Sequence, residues 1–143
     1  SGGFRVEREG PLIVVHRGSI AAPSAQPMAV PGAAMFGRFE VAAAAPPSGL
    51  VRRTALIDSG ATDSSVTLRA AAAGERIEIA AGSKLIRDVL AEAEVPPRLR
   101  AAWPIVEAHG RIAAVAGIRA APWARGALGE AGTVELTARE KQR

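Results

Sequence analysis

Residues 82–117 read GSKLIRDVLAEAEVPPRLRAAWPIVEAHGRIAAVAG, and this stretch decides the architecture. Ser83 suits the N-cap of a helix over 84–94, since a hydroxyl there can satisfy an orphan backbone N–H. Leu85 and Val89, with either Ile86 or Leu90, fall four apart and face inward; Lys84, Arg87, Glu92 and Glu94 stay in water. Pro96 and Pro97 end that helix, and Pro97 fits the first position of a second turn because its fixed φ is already helical. Leu99 and Trp103 share one face of that turn. The second half changes character: 105–108 and 111–116 are apolar and pair as a hairpin across His109-Gly110. A helix and a basic corner carrying Lys84, Arg87, Arg98 and Arg100 are thus mounted on a sheet.

Outward from this stretch the chain reads mostly as strand. Residues 75–80 alternate around Ile77 and Ile79, the mark of a half-buried strand. Residues 54–58 and 66–70 are strands on either side of a turn rich in Ser, Gly, Thr and Asp. At the start, 4–9 and 12–17 form a hairpin through Glu9-Gly10-Pro11. Residues 19–32 read as an extended, proline-spaced loop. Residues 35–45 return to strand on Phe36, Phe39 and Val41, and Pro46-Pro47-Ser48-Gly49 is a turn. A last strand spans 133–137, followed by a basic tail over 139–143. The fold expected is α+β, mostly antiparallel β with one main helix and a helical turn, in two small lobes. Residues 1–3 read as a cloning remnant, 4–64 as an N-terminal β lobe, 65–140 as a second domain and 141–143 as a tail, with the boundary near Ser64.

Composition narrows the chemistry. Of the 143 residues 48% are hydrophobic but only 3% aromatic, so alanine fills much of a thin core. The net charge is +4 and the pI near 10.9. Sixteen of the 18 basic residues are arginine, the side chain suited to bidentate contact with phosphate and carboxylate. Cysteine is absent, which excludes disulfides, thiolate catalysis and cysteine zinc sites. Pro23, Pro27 and Pro31 break the longest uncharged stretch, so it is no membrane helix, and no apolar signal segment is visible. A cytoplasmic protein without a membrane partner is expected.

Enzyme motifs are thin. Leu56-Ile57-Asp58-Ser59-Gly60-Ala61-Thr62 resembles the active-site loop of retroviral-type aspartic proteases. That chemistry needs two carboxylates sharing one proton, hence a homodimer contributing Asp58 twice. It also needs a hairpin flap in the stretch 82–94. The same Asp-Ser-Gly is an ordinary turn signature. A Ser/His/Asp set drawn from Ser59 or Ser64, His109 and Asp63 has no supporting spacing, and His109 reads as a turn residue. No metal-ligand pattern occurs, and no catalytic residue is assigned. The basic residues Arg69, Arg76, Lys84, Arg87, Arg98 and Arg100 are the candidate site, a face for phosphates of an RNA stem if strand ends and helix start converge. Double-stranded RNA is recognised by shape and backbone, so the scarcity of aromatics is no obstacle.

In order, Arg69, Gly74-Glu75-Arg76, Gly82-Ser83-Lys84-Leu85, Asp88, Val95-Pro96, Arg100, Trp103-Pro104, Val106, Ile112 and 115–119 (VAGIR) resemble the C-terminal domain of bacterial tRNA(Ile)-lysidine synthetases, a domain of the PheT/TilS-like kind. Pro31-Gly32 and Leu56-Ile57-Asp58 fall where that family has a PG turn and an LD strand. The family's PGDR is Ala73-Gly74-Glu75-Arg76 here, one lysine of its KK pair is missing, and the tryptophan of its WVxG is Ala114. The resemblance implies a domain that binds the acceptor stem of tRNA(Ile) while another domain uses ATP and magnesium to join lysine to C34. That ATP-pyrophosphatase domain has no counterpart in these residues, so the chain alone is expected to bind no cofactor and to show no ligase activity. The protease remains the alternative, and the sequence allows a homodimer.

Overall fold

Alternating residues at the start form the expected hairpin, β1 (Arg5–Glu9) against β2 (Leu12–His16), with Arg5 opposite His16. The structure, a computed structural model, describes residues 5–9, 12–16, 21–44, 56–62, 65–127 and 130–141. The stretch expected to be a loop contains a strand, β3 (Gln26–Ala29), which buries Met28. Its Pro27 cannot donate to a ladder, and β3 accordingly lies at a sheet edge, paired with β7 alone among the described residues. The Val30–Pro31 peptide bond is cis. The single strand expected over 35–45 is a hairpin, β4 (Gly32–Phe36) and β5 (Phe39–Ala44). Gly37 makes the reversal at φ 59°, and a Cβ there would meet the Pro23 ring at 2.6 Å.

After β6 (Leu56–Asp58) and a 3₁₀ turn (Ser59–Thr62) comes β7 (Ser65–Ala70). β8 (Arg76–Ile79) and β9 (Gly82–Leu85) pair as a small separate sheet. The main helix α1 (Ile86–Glu92) therefore begins two residues later than the expected start at Lys84. The ladder explains the difference: Arg76 pairs with Leu85, and the Ile86 N–H donates to the Glu75 carbonyl at 3.0 Å, so strand geometry persists through 85. Ser83 is not the cap; its hydroxyl accepts from Arg76 Nε at 2.8 Å. Ile86, Val89 and Leu90 are buried, while Leu85 is only half-buried.

The helix ends with Glu94 in the left-handed region at φ 62°. The Val95 N–H bonds back to Leu90 O at 3.0 Å and the Glu94 N–H to Ala91 O at 3.0 Å, a Schellman closure. Pro97 opens α2 (Pro97–Arg100), and Leu99 is buried. β10 (Pro104–Ala108) and β11 (Arg111–Val115) form the expected hairpin. His109 and Gly110 both take positive φ, 56° and 73°, matching the primed turns whose twist suits two-residue connections. β12 (Arg119–Ala120) and a turn (Pro122–Ala124) follow. The last strand, β13 (Thr133–Glu140), is longer than expected and takes in Arg139 and Glu140, read from sequence as tail.

The larger sheets run β12-β11-β10-β7-β3 and β4-β5-β13-β6, with antiparallel neighbours throughout. They are not successive lengths of chain. β3 from the first half enters the sheet of the second, and β13 from the C-terminal end enters the sheet of the first. The boundary expected near Ser64 lies at 63–64, outside the described residues. Phe36, Phe39, Val41 and Leu136 meet Leu68, Ile105, Val106 and the α1 residues in one core. Many of its remaining members are alanines, as composition foretold. Trp103 ties the layers together: its ring meets Phe39 edge-on at 5.2 Å, and its Nε1–H donates to Ala116 O at 3.0 Å.

Candidate nucleic-acid interface

The loop 71–75 joins β7 to β8, and its shape follows from one carboxylate. Glu75 accepts Arg69 Nη1 at 2.9 Å and Nη2 at 2.7 Å, and its Oε1 also accepts the Ala72 N–H at 2.8 Å. Arg69 further reaches Glu107 on β10 at 3.4 Å. The fork from Arg69 holds the Glu75 carboxyl below its usual range, and the Glu75 carboxylate raises the Arg69 guanidinium in turn. Arg69, expected as a phosphate contact, is placed as an internal strut whose charge is already matched.

Beside this loop lies a cleft of about 380 Å³, walled by 71–75, the start of α1 and the end of α2. Arg87 and Arg100 line it over the apolar bodies of Leu85, Ile86 and Leu90. Its one lining carboxylate is Glu75, which Arg69 neutralises, so the cleft is cationic. Arg87 is 78% exposed and stands 3.9 Å from Asp88, too far for a tight pair. Arg100 spends Nε on Val95 O at 2.8 Å, which fixes the chain after the Schellman turn.

The other expected residues sit around this cleft or away from it. Arg76 is exposed and grips Ser83 through Nε at 2.8 Å and Nη2 at 3.1 Å, the latter to the Ser83 carbonyl. Lys84 lies opposite Ile77, one pleat step from the Arg76–Leu85 pair. It therefore points to the other face of the hairpin, where its Nζ contacts Glu92. Arg98 is apart, forked onto Glu140 at 3.0 and 3.2 Å, and Arg38 approaches the same carboxylate at 3.7 Å. The structure thus brings Arg87 and Arg100 together with the Arg69–Glu75 strut, flanks them with the Arg76–Lys84 hairpin, and leaves Arg98 at the end of β13.

Sequence reading missed Arg111, which binds Glu78 at 2.7 Å and stacks over the Trp123 ring at 4.7 Å. Its place directly after Gly110, on the turn side of a hairpin, was the available signal. The protease reading required a flap hairpin over 82–94; 86–92 is helical instead. Asp58 Oδ1 accepts the Gly60 N–H at 3.0 Å, the ordinary turn bond of an Asp-x-Gly sequence. Of the Ser/His/Asp set, Asp63 and Ser64 lie outside the described residues, and His109 Nε2 is 3.1 Å from Ala61 O. Among the described residues no cluster of His, Asp and Glu could hold a metal ion. Among them, too, no helix is long and apolar enough to cross a membrane.

The described residues form an antiparallel α+β domain with a cationic cleft, and comparison with known proteins gives the family. Residues 66–136 match the family described as the TilS substrate C-terminal domain, the domain of the tRNA(Ile)-lysidine synthetases, and belong to it. The chain also carries the fold of a solved structure described as the crystal structure of the TilS C-terminal domain. The two agree with a TM-score of 0.60 at 20% identity over 84% of this chain and 100% of that one. No curated protein matches the chain.

Proposed function

We propose that this chain is the tRNA-binding domain of a tRNA(Ile)-lysidine synthetase, holding the acceptor stem of tRNA(Ile) while a catalytic domain joins lysine to C34. ATP, magnesium and lysine belong to that catalytic domain, and the chain by itself is inactive. The reaction takes place in the cytoplasm, where the tRNA is. A second hold, remote from the reacting base, converts binding energy into correct placement of the anticodon.

The observation that carries this reading is the cleft with Arg87 and Arg100 on its wall and its one carboxylate neutralised from behind. Arginines on a fixed scaffold grip phosphates without reading bases, as recognition of an RNA stem requires. Arg87 and Arg100 make the central contacts, Arg76 extends them along the cleft side of the β8–β9 hairpin, Lys84 meets the backbone from the hairpin's other face, and Arg98 reaches it from the end of β13. Arg69 acts through Glu75, by holding the loop in place. The test is a salt titration of binding to tRNA(Ile) and to an unrelated tRNA, with Arg87→Ala and Arg100→Ala beside the wild type. Each lost phosphate contact should flatten the log–log salt slope by roughly 0.7–0.9. Wild-type protein that binds no tRNA at low salt would overturn the reading.

A further inference from the structure

Among the described residues, the outer edge of β12 presents two arginines that no carboxylate balances. Arg119 lies opposite Val115, which lies opposite Ile105, which lies opposite Arg69, so the four share one row on one face of the sheet. Val115 and Ile105 are fully buried, and Arg119 at the edge of that row is half-buried. Its Nε is shielded from water and has no hydrogen-bond partner among the described residues. Arg69, at the other end of the row, has the Glu75 fork; among the described residues Arg119 has no counterpart to it. A shielded donor left unpaired costs more than a made bond contributes, so an acceptor arriving at this place would be favoured.

A second arginine comes to the same edge. Arg125 is exposed, and its Nη2 donates to the carbonyl of Ala120, the residue next to Arg119, at 3.2 Å. Among the described residues it too lacks a carboxylate. The two cations are held by different segments, the strand β12 and the turn that follows it, and the backbone bond brings the Arg125 guanidinium to the carbonyl of the residue next to Arg119. Among the described residues β12 pairs with β11 alone, and β6, whose Ile57 bridges Arg125, lies against it. This edge does not contribute to the cleft of Arg87 and Arg100.

We propose that Arg119 and Arg125 form a phosphate-binding site at the outer edge of β12 that takes a backbone phosphate of the bound RNA, a second hold in addition to the cleft. The assignment rests on the tRNA-binding reading for the source of the phosphate and on the unbalanced pair for the site itself. Guanidinium groups fit a phosphate through paired N–H donors, and a phosphate here would satisfy the orphan Nε.

The test uses the full chain with Arg119→Met, Arg119→Lys, Arg125→Gln and the Met/Gln double variant, and measures tRNA binding across salt together with melting temperature. Loss of one or two phosphate contacts should reduce affinity and flatten the salt slope by roughly 0.7–0.9 per contact. Arg119→Lys should keep part of the slope but lose affinity. Arg119→Met should melt no lower than wild type, because it removes an unpaired buried donor. Wild-type affinity and slope in the double variant would overturn the site. So would a lowered melting temperature in Arg119→Met with an unchanged slope, which marks a structural role. If the wild type binds no tRNA, the functional reading fails, and inorganic pyrophosphate decides the site. A rise in melting temperature with pyrophosphate that the double variant loses supports a site for free phosphate compounds, and its absence overturns the site as well.

Discussion

Arg69 and Glu75 are joined by two parallel hydrogen bonds, 2.9 and 2.7 Å, across a loop that the same carboxylate closes through the Ala72 N–H. One strand residue thereby sets the path of 71–75, and the Glu75 carbonyl then receives the first N–H of α1. The wall of the cleft is built outward from an inner strand of the five-stranded sheet in three steps: β7, the loop, and the helix start. A cation that composition marks for a phosphate is here paired with a carboxylate, and the pair places the backbone beside which Arg87 and Arg100 stand.

Breaking that strut should therefore cost stability before it costs charge. Both side chains are 22% exposed, so the pair is largely screened from water, and a hydrogen bond to a charged partner there is worth about 1.5–3 kcal/mol. Arg69→Met and Glu75→Gln should each lose stability of that order in urea unfolding, and the double variant should lose less than their sum. In tRNA titrations Arg69→Met should lower affinity while leaving the salt slope near wild type. A slope flattened as much as in Arg87→Ala would make Arg69 a direct contact.

The same pair predicts how stability responds to acid. Arg69 holds the folded-state pKa of Glu75 below its unfolded value, with the Ala72 N–H assisting. A depressed carboxylate contributes stability that is complete above the unfolded value, about 4.3, and is lost as pH falls through the folded value. Glu40, held down by Arg139, and Glu140, held down by Arg98, shift the same way at the exposed end of β13. The melting temperature should be flat from about pH 6 to 8 on their account and fall below about pH 4.5. Glu75→Gln should remove part of that fall. An acid limb as steep in Glu75→Gln as in wild type would refute the assignment.

The elements that sequence made legible are those whose period is local. The β10–β11 hairpin follows from two apolar runs around His109-Gly110, and the end of α1 follows from Pro96 and Pro97. What escaped depends on partners far along the chain. β3 looks like a loop because Pro23, Pro27 and Pro31 punctuate it, yet Met28 has a place against the core once β7 is present. The start of α1 was misplaced because Ser83 and Lys84 satisfy helix rules locally, while β8 offers them a ladder that prevails. The basic site was legible as a set of residues but not as an arrangement. Nothing local shows that Arg69 would meet Glu75, or that Arg98 would meet Glu140 42 positions away. The edge pair Arg119 and Arg125 escaped for the same reason, since its character lies in having no carboxylate beside it among the described residues.

Gly117 tests whether the β11–β12 turn is locked onto the other sheet. It takes φ 73°, and a Cβ there would stand 3.1 Å from the backbone nitrogen of Ala138 in β13. Gly74 has nearly the same φ, 75°, with nothing within 4 Å of the added carbon. Gly74→Ala should cost about 1–2 kcal/mol from the left-handed conformation alone. Gly117→Ala should cost more, because backbone must also shift. Equal losses in chemical denaturation would show that the turn and β13 yield freely.

Trp103 is where the two large sheets depend on each other most directly. Its ring packs on Phe39 of one sheet while its Nε1–H donates to Ala116, which follows β11 of the other. Trp103→Phe keeps most of the packing but leaves the Ala116 carbonyl short of a donor, a loss of about 1–3 kcal/mol. Because β3 and β13 cross between the sheets, that loss should appear as one earlier transition and not as separate melting of one sheet. Trp123, whose Nε1–H bonds to Ile112 O at 3.2 Å, remains as a fluorescent reporter within the five-stranded sheet. Circular dichroism reports both sheets at once. Coincident curves in the variant would show that strand exchange makes the layers one cooperative unit. If Trp123 fluorescence departed from the dichroism curve, the interleaved strands would not be enough to couple them.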